Sequence, residues 1–369
     1  MNGERLERIL QAMQEKKIPQ LLISDEVVVK YLTGLTIHSG ERLLAILLKA
    51  DGNHRIYINE LFPQQQDPGM EIVWYNDNQD AVEILSRSVE DGQPIAIDKN
   101  WPARFLLRLQ ELKGNCRYRN SSCIIDYVRM IKGADEQEKM ILSSRINDRV
   151  IGRVIPLVGQ GYDELELNAM VRSIYAEEGC EGVSFDPITA FEKNAADPHH
   201  EADHSKGKPG DCVVIDIGGM KDGYASDMTR TVFLDHVSER QKEIYRIVRD
   251  ANLKGIAAAK PGNRMCDVDL AARNYIEEKG FGKYFTHRTG HSIGIEDHEY
   301  GDVSSVNTDI IKPGQCFSVE PGIYIQEEGI GVRVEDLVLI TEDGCRVLNG
   351  FTKNILVVKE DGSVEDCGE

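Results

Sequence analysis

Cys212-Val-Val-Ile-Asp216, the glycines Gly218-Gly219, Lys221-Asp-Gly223 and then Tyr224-Ala-Ser-Asp-Met-Thr-Arg-Thr231-Val-Phe-Leu234 form the stretch on which the fold turns. An apolar run ending in aspartate, a turn and a second apolar run describe a strand, a reversal and a returning strand. Asp227 follows Asp216 by eleven positions, so pairing of the two strands sets two carboxylates side by side.

The same texture continues outward. Long helical patterns are predicted over 134–157, 163–178, 238–259 and 266–279. The first of them opens on Ala134-Asp-Glu-Gln-Glu138, with acids where a helix dipole favours them. Between the helices lie strand pairs: Cys212–Asp216 with Thr231–Leu234, Cys316–Val319 with Ile323–Ile325, and Asp336–Thr341 with Cys345–Leu348. Before residue 128 the chain is shorter in period. A helix over Glu4–Lys16 leads to a strand over Gln20–Ser24, and a hairpin of Arg42–Leu48 and His54–Ile58 turns at Asp51-Gly52. Strands over Glu71–Tyr75 and Ile95–Asp98 are each followed by a helix, over Gln79–Ser88 and Pro102–Lys113. The expectation is a mixed α/β (α+β) chain of two domains, a small three-layer one over 1–127 and a larger one over 128–369.

Composition narrows the function. A formal net charge of −19, from 62 acidic and 43 basic residues, repels a phosphate backbone and speaks against nucleic-acid binding. No apolar run is long enough to span a bilayer, and Met1-Asn2-Gly3-Glu4-Arg5 does not read as a signal peptide. The eight cysteines stand singly, with no CxxC pair, as expected of free thiols in the cytoplasm.

In the second half, carboxylates and an imidazole fall beside strands. His291 sits in Thr289-Gly-His-Ser-Ile-Gly294, Glu320 precedes Pro321-Gly322, and Glu335 ends Gly331-Val-Arg-Val-Glu335. With Asp216 and Asp227 they make a set of hard oxygen donors plus one imidazole. Four carboxylates crowd together only if cations neutralise them, and two divalent ions balance the charge. Water held between two such ions becomes hydroxide near neutral pH and attacks a carbonyl. Gly290-His-Ser-Ile-Gly294 also fits the G-x-S-x-G elbow of serine hydrolases, but the flanking residues supply neither its strand nor its helix.

These motifs resemble those of the pita-bread metallopeptidases: Asp216-Ile-Gly through Thr231, Gly290–Gly294 with His298-Glu299, Glu320-Pro-Gly-Ile-Tyr324 and Gly331–Asp336. The group contains prolidases and Xaa-Pro aminopeptidases, and the similarity covers essentially the whole chain. Lys30-Tyr-Leu-Thr-Gly34 and Val128-Arg-Met-Ile-Lys132 resemble landmarks of the creatinase-type N-terminal domain.

The resemblance implies two divalent ions, manganese by expectation and otherwise cobalt, iron or zinc. Asp216, Asp227, His291, Glu320 and Glu335 would hold them, with Asp227 and Glu335 bridging. It further implies that Glu320 accepts the proton of the nucleophilic water and that His199, His287 and His298 line the substrate pocket. Arg333 would orient the carboxylates. His200 and His204 are read as solvated.

The implied substrate is a peptide with proline second, cut after its first residue, and the implied assembly is a homodimer whose N-terminal domains border the partner's site. Two features depart from the family pattern. Ser292 stands where relatives carry glycine. After His298-Glu299 no arginine appears before Arg333, and the position expected to receive a dipeptide's carboxylate falls on Asp302. That tilts the expectation to Xaa-Pro aminopeptidase, with Xaa-Pro dipeptidase as the alternative. A creatinase-like or peptide-binding relative without metal is disfavoured because all five ligand positions are filled. A methionine aminopeptidase is disfavoured because those enzymes generally lack such an N-terminal domain.

Overall fold

The computed structural model describes residues 2–198 and 200–368. The chain divides into two compact units, residues 1–129 and 130–369.

In the first unit six strands make one sheet. They are β1 (Gln20–Ile23), β2 (Ala45–Lys49), β3 (Arg55–Asn59), β4 (Glu71–Tyr75), β5 (Pro94–Ile97) and β6 (Arg117–Asn120), in the order β4-β3-β2-β1-β5-β6. The predicted hairpin is β2 with β3, and Gly52 at its turn adopts a φ of +90°, which only glycine takes without strain. Leu22, Leu47, Tyr57 and Ile95 point into a core closed by Leu85 and Leu109 of the helices Ala81–Ser86 and Ala103–Leu112.

Three elements go beyond the sequence reading, the helix Ser122–Met130 among them. Glu26–Thr33 is a helix, started by the Asp25 carboxylate on the amides of Val27 and Val28 and stopped by Gly34 at φ +78°. Strand β6 is largely polar and solvent-facing, an edge that carries no alternating apolar pattern to read.

The second unit is built around two five-stranded sheets. Its first strands are β7 (Gly182–Val183), β8 (Ile188–Phe191), β9 (Cys212–Ile217), β10 (Gly219–Lys221), β11 (Tyr224–Ala225) and β12 (Met228–Leu234). Next come β13 (Gly290–Ser292), β14 (Glu299–Val303), β15 (Cys316–Val319), β16 (Gly322–Ile325), β17 (Ile330–Arg333) and β18 (Asp336–Ile340). The last are β19 (Cys345–Val347), β20 (Leu356–Val358) and β21 (Val364–Asp366). One sheet runs β21-β20-β12-β9-β8 and the other β14-β13-β15-β18-β19. A ribbon of β16 and β17 and a small sheet of β7, β10 and β11 complete the set.

The four long helices fall where predicted, at Ala134–Val154, Glu164–Glu177, Glu239–Ala258 and Met265–Glu278. Reciprocal capping starts two of them: Ser238 with Gln241, and Asp163 with Glu166. Their buried faces, such as Ile244, Val248 and Ala272, cover the strands that carry the site.

Two of the three predicted strand pairs form: β9 with β12, and β18 with β19. The third does not. Cys316–Val319 pairs with β13 and β18, whereas Gly322–Ile325 pairs with β17. Glu320-Pro321 lies between them, and proline's missing donor and fixed φ divert the chain out of one sheet into the ribbon.

His200 is not solvated as expected. Its Nε2 lies 2.6 Å from Oε2 of the fully buried Glu164. That carboxylate also accepts from the amides of Phe191 and Asp203 and from the Asn194 side chain. One buried side chain thus ties Phe191, Asn194, His200 and Asp203 together. Replacing Glu164 by alanine strands those donors, and urea denaturation should show a loss of about 2–4 kcal/mol. His204 is exposed, with Nδ1 2.9 Å from Asp163.

Candidate metal centre

The strand pair that decides the fold also starts the site. Asp216 on β9 faces Thr229 on β12, and Asp227 stands just before β12. The amide of Glu335, in the turn from β17 to β18, donates to the Thr229 carbonyl and brings a third carboxylate to the same place. Glu320, in the turn between β15 and β16, is held by its amide on the Thr289 carbonyl. His291 projects from β13 with Nε2 3.5 Å from Asp227 Oδ2 and 3.4 Å from Glu320 Oε1. Ligand-capable atoms of Asp227, His291 and Glu335 all lie within 4.8 Å of one another.

These five residues share one cavity of about 400 Å³ with His287, Arg288, Asp297, His298 and Arg333, and Phe185, Ile188 and Pro198 form its apolar wall. Every predicted site residue except one is therefore brought together. His199 lies outside the described residues.

Asp227, Glu335, His291 and Arg333 are buried. Burial raises the pKa of Asp227 and of Glu335 well above the usual carboxylate range, and neighbouring carboxylates raise both further. Burial also lifts Glu320 to about 7, against the pull of Arg333, and Asp297 to about 6, against the pull of His291. The same dry surroundings lower the pKa of His291. Its Nδ1 lies 3.2 Å from the Ser292 carbonyl, so the proton sits there and Nε2 keeps its lone pair.

Four buried carboxylate oxygens in this cavity have no hydrogen-bond partner: Asp216 Oδ1, Asp227 Oδ1, Glu335 Oε1 and Asp297 Oδ1. Acceptors stranded in this way fit cations. An imidazole with a free Nε2 among oxygen donors has the chemistry of a divalent-metal site.

Arg333 organises the cluster with its fork. Nη2 donates to Asp216 Oδ2 at 2.6 Å, Nε to Thr229 Oγ1 at 3.0 Å and Nη1 to the Tyr324 hydroxyl at 3.0 Å. The Thr229 hydroxyl in turn donates to Glu335 Oε2 at 2.7 Å, and Ser318 Oγ donates to Glu320 Oε1 at 3.0 Å. Asp216, Glu335 and Glu320 are thereby each held through one oxygen, and Asp216 and Glu335 keep the other without a partner. Tyr324 OH lies 2.9 Å from His287 Nε2, whose ring is oriented by the Arg288 carbonyl at 2.7 Å from Nδ1. His298 stacks on His291 with ring centroids 3.7 Å apart.

Sequence reasoning missed Asp297, Arg288, Tyr324, Thr229 and Ser318 at the site. Tyr324 and Thr229 lie inside the quoted motifs, and Asp297 and Arg288 each adjoin a predicted histidine, which was the available signal. Ser292 is no nucleophile: its buried hydroxyl donates to the Gly301 carbonyl at 2.9 Å and braces the β13–β14 hairpin. Asp302 does not line the cavity, whereas Arg288 does.

The fold and this donor set define a metal-dependent peptidase. Residues 138–342 match the model of metallopeptidase family M24, and residues 5–131 match that of the creatinase/prolidase N-terminal domain. The chain belongs to family M24 and has its pita-bread catalytic domain behind a creatinase-like one. It is 32% identical to a Xaa-Pro dipeptidase of Pyrococcus furiosus over 356 residues, 96% of this chain and 99% of that one. A prolidase from Thermococcus sibiricus superposes with a TM-score of 0.91 at 31% identity, covering 97% and 100% of the two chains. An X-Pro aminopeptidase from Thermotoga maritima gives 0.80 at 29%, covering 94% and 100%.

Proposed function

We propose that the protein is a Xaa-Pro dipeptidase, a reading carried by the Arg288 guanidinium at the wall of the metal cavity. The aminopeptidase expectation rested on the lack of a cation for the dipeptide's carboxylate. Arg288 answers that need: its Nη2 meets His298 Nδ1 at 3.0 Å, and the remaining donors of its fork suit a carboxylate. The Pyrococcus and Thermococcus relatives, a Xaa-Pro dipeptidase and a prolidase by name, support the same choice.

In this reading Asp216, Asp227, His291, Glu320 and Glu335 would hold two divalent cations. Bound there, such a pair polarises a carbonyl and acidifies water. Glu320 is fixed through Oε1 by Ser318, so Oε2 is the atom that takes the proton. His287 and His298 steady the scissile carbonyl, with His287 set by Tyr324 and its own backbone. Arg333 holds Asp216 in place through the donor on Oδ2. The apolar wall of Phe185, Ile188 and Pro198 receives the proline ring. Manganese as the native metal, from the oxygen-rich donor set, belongs to the proposal, as do a homodimer and a cytoplasmic location.

Rates on a Xaa-Pro dipeptide and on the matching Xaa-Pro-Xaa tripeptide, after metal stripping and reloading with manganese, test the assignment. The dipeptide should be preferred. Arg288→Ala should raise KM for the dipeptide by about ten- to a hundred-fold, with little change on the tripeptide. A tripeptide preference in the native protein would return the reading to aminopeptidase.

A further inference from the structure

Asp297 is an acid that neither the strand pattern nor the five-ligand set accounts for. It follows β13 in Ile295-Glu-Asp-His298, lines the same cavity, and has only 17% of its side chain exposed. Its carboxyl group lies beside that of Asp227 in this cavity. Two carboxyl groups that close repel unless a proton or another cation stands between them.

The other contacts fix one oxygen and free its mate. His298 Nδ1 accepts from Arg288, so its N–H is on Nε2, which lies 3.4 Å from Asp297 Oδ2. Asp297 Oδ1 is buried with no partner, like Oδ1 of Asp227 and Oε1 of Glu335. Charge leads to the same place. Asp216, Asp227, Glu320 and Glu335 carry four negative charges, but the buried Arg333 guanidinium on Asp216 cancels one of them. Asp297 restores the fourth, which is what two divalent cations need in a dry pocket.

We propose that Asp297 is a further anionic ligand of the metal centre, binding a divalent cation through Oδ1 beside Asp227. The inference rests on the metal-centre reading above and adds a sixth protein ligand to it. A ligand set richer in oxygen favours manganese or magnesium over zinc.

The test is a manganese titration of stripped protein by calorimetry, with bound metal counted by elemental analysis, on the native chain, Asp297→Asn, Asp297→Ser and Asp227→Asn. In both Asp297 variants the weaker of the two manganese affinities should fall by more than about a hundred-fold, beyond the ten- to hundred-fold that loss of an outer partner costs. Stoichiometry should return to two at saturating manganese. Circular dichroism checks the fold of each variant, and the smaller serine stands in should the asparagine variant misfold. Affinities that fall by about a hundred-fold or less in the folded variants overturn the proposal. Those affinities with a raised peptide KM would place Asp297 on the substrate side instead, which overturns it equally. Failure of the native chain to bind manganese, or wild-type binding by Asp227→Asn, would sink the metal-centre reading itself.

Discussion

Asp227→Asn and Glu335→Gln should each abolish tight binding of a metal pair and lower kcat/KM by on the order of a thousand-fold or more, beyond the ten- to hundred-fold that loss of an outer partner costs. Both side chains are buried in one cluster, and each presents a partnerless oxygen to it. The amide substitutions keep the volume and remove the charge, so the packing around β12 and β18 should survive. Metal content by elemental analysis and activity on a Xaa-Pro dipeptide should fall together. Retained activity in protein without metal would remove the basis of the mechanism.

The metal-stripped protein should lose stability as pH rises, the reverse of the usual carboxylate behaviour. Asp297 and Glu320 are lifted to about 6 and about 7 by burial, and Asp227 and Glu335 are raised well above the carboxylate range. A carboxyl group with a raised folded-state pKa binds protons more tightly in the native state than in the unfolded one. Its contribution is therefore fully present below about pH 4 and is lost as pH climbs through the folded value. Between about pH 4 and pH 8 the cluster should cost on the order of several kcal/mol, since each tenfold gain in proton affinity on folding is worth about 1.4 kcal/mol. Urea midpoints of stripped protein should be higher near pH 5 than near pH 8, and adding manganese at pH 8 should restore the difference. A stripped protein equally stable at both pH values would mean that the four carboxylates are not mutually crowded.

Much of the second unit was legible because its signals are local. Helix 239–258 announces itself by a capping box and an apolar stripe, and β9 by an apolar run that stops at Asp216. The five proposed ligands stood out because each lies next to a strand end or a glycine, where a side chain can be aimed without disturbing the core. Elements without a local signal were missed. Strand β6 is polar because it is an edge, and the pairing of Cys316–Val319 depends on β13 and β18, each about 20 residues away or more.

What the sequence by itself determined is the donor inventory: which residues are carboxylates, which are imidazoles, and near which strands they stand. Those are properties of residue type and short-range pattern. Only the tertiary structure decided which other charges share the cavity. Arg288 and Asp297 each stand beside a predicted histidine, yet neither has a spacing that sets it apart from a solvated charge. Arg288 reaches the cavity wall because the segment before β13 runs alongside His298, and Asp297 comes near Asp227 because the segment after β13 is tied to β11, the Gly294 carbonyl accepting from the Ala225 amide. Charge neighbourhood is a three-dimensional quantity, set by strands brought together from across the chain. That is why the sequence alone pointed to a peptide-bond hydrolase, while Arg288, proposed above as the cation for a dipeptide's carboxylate, came into view only in the folded protein.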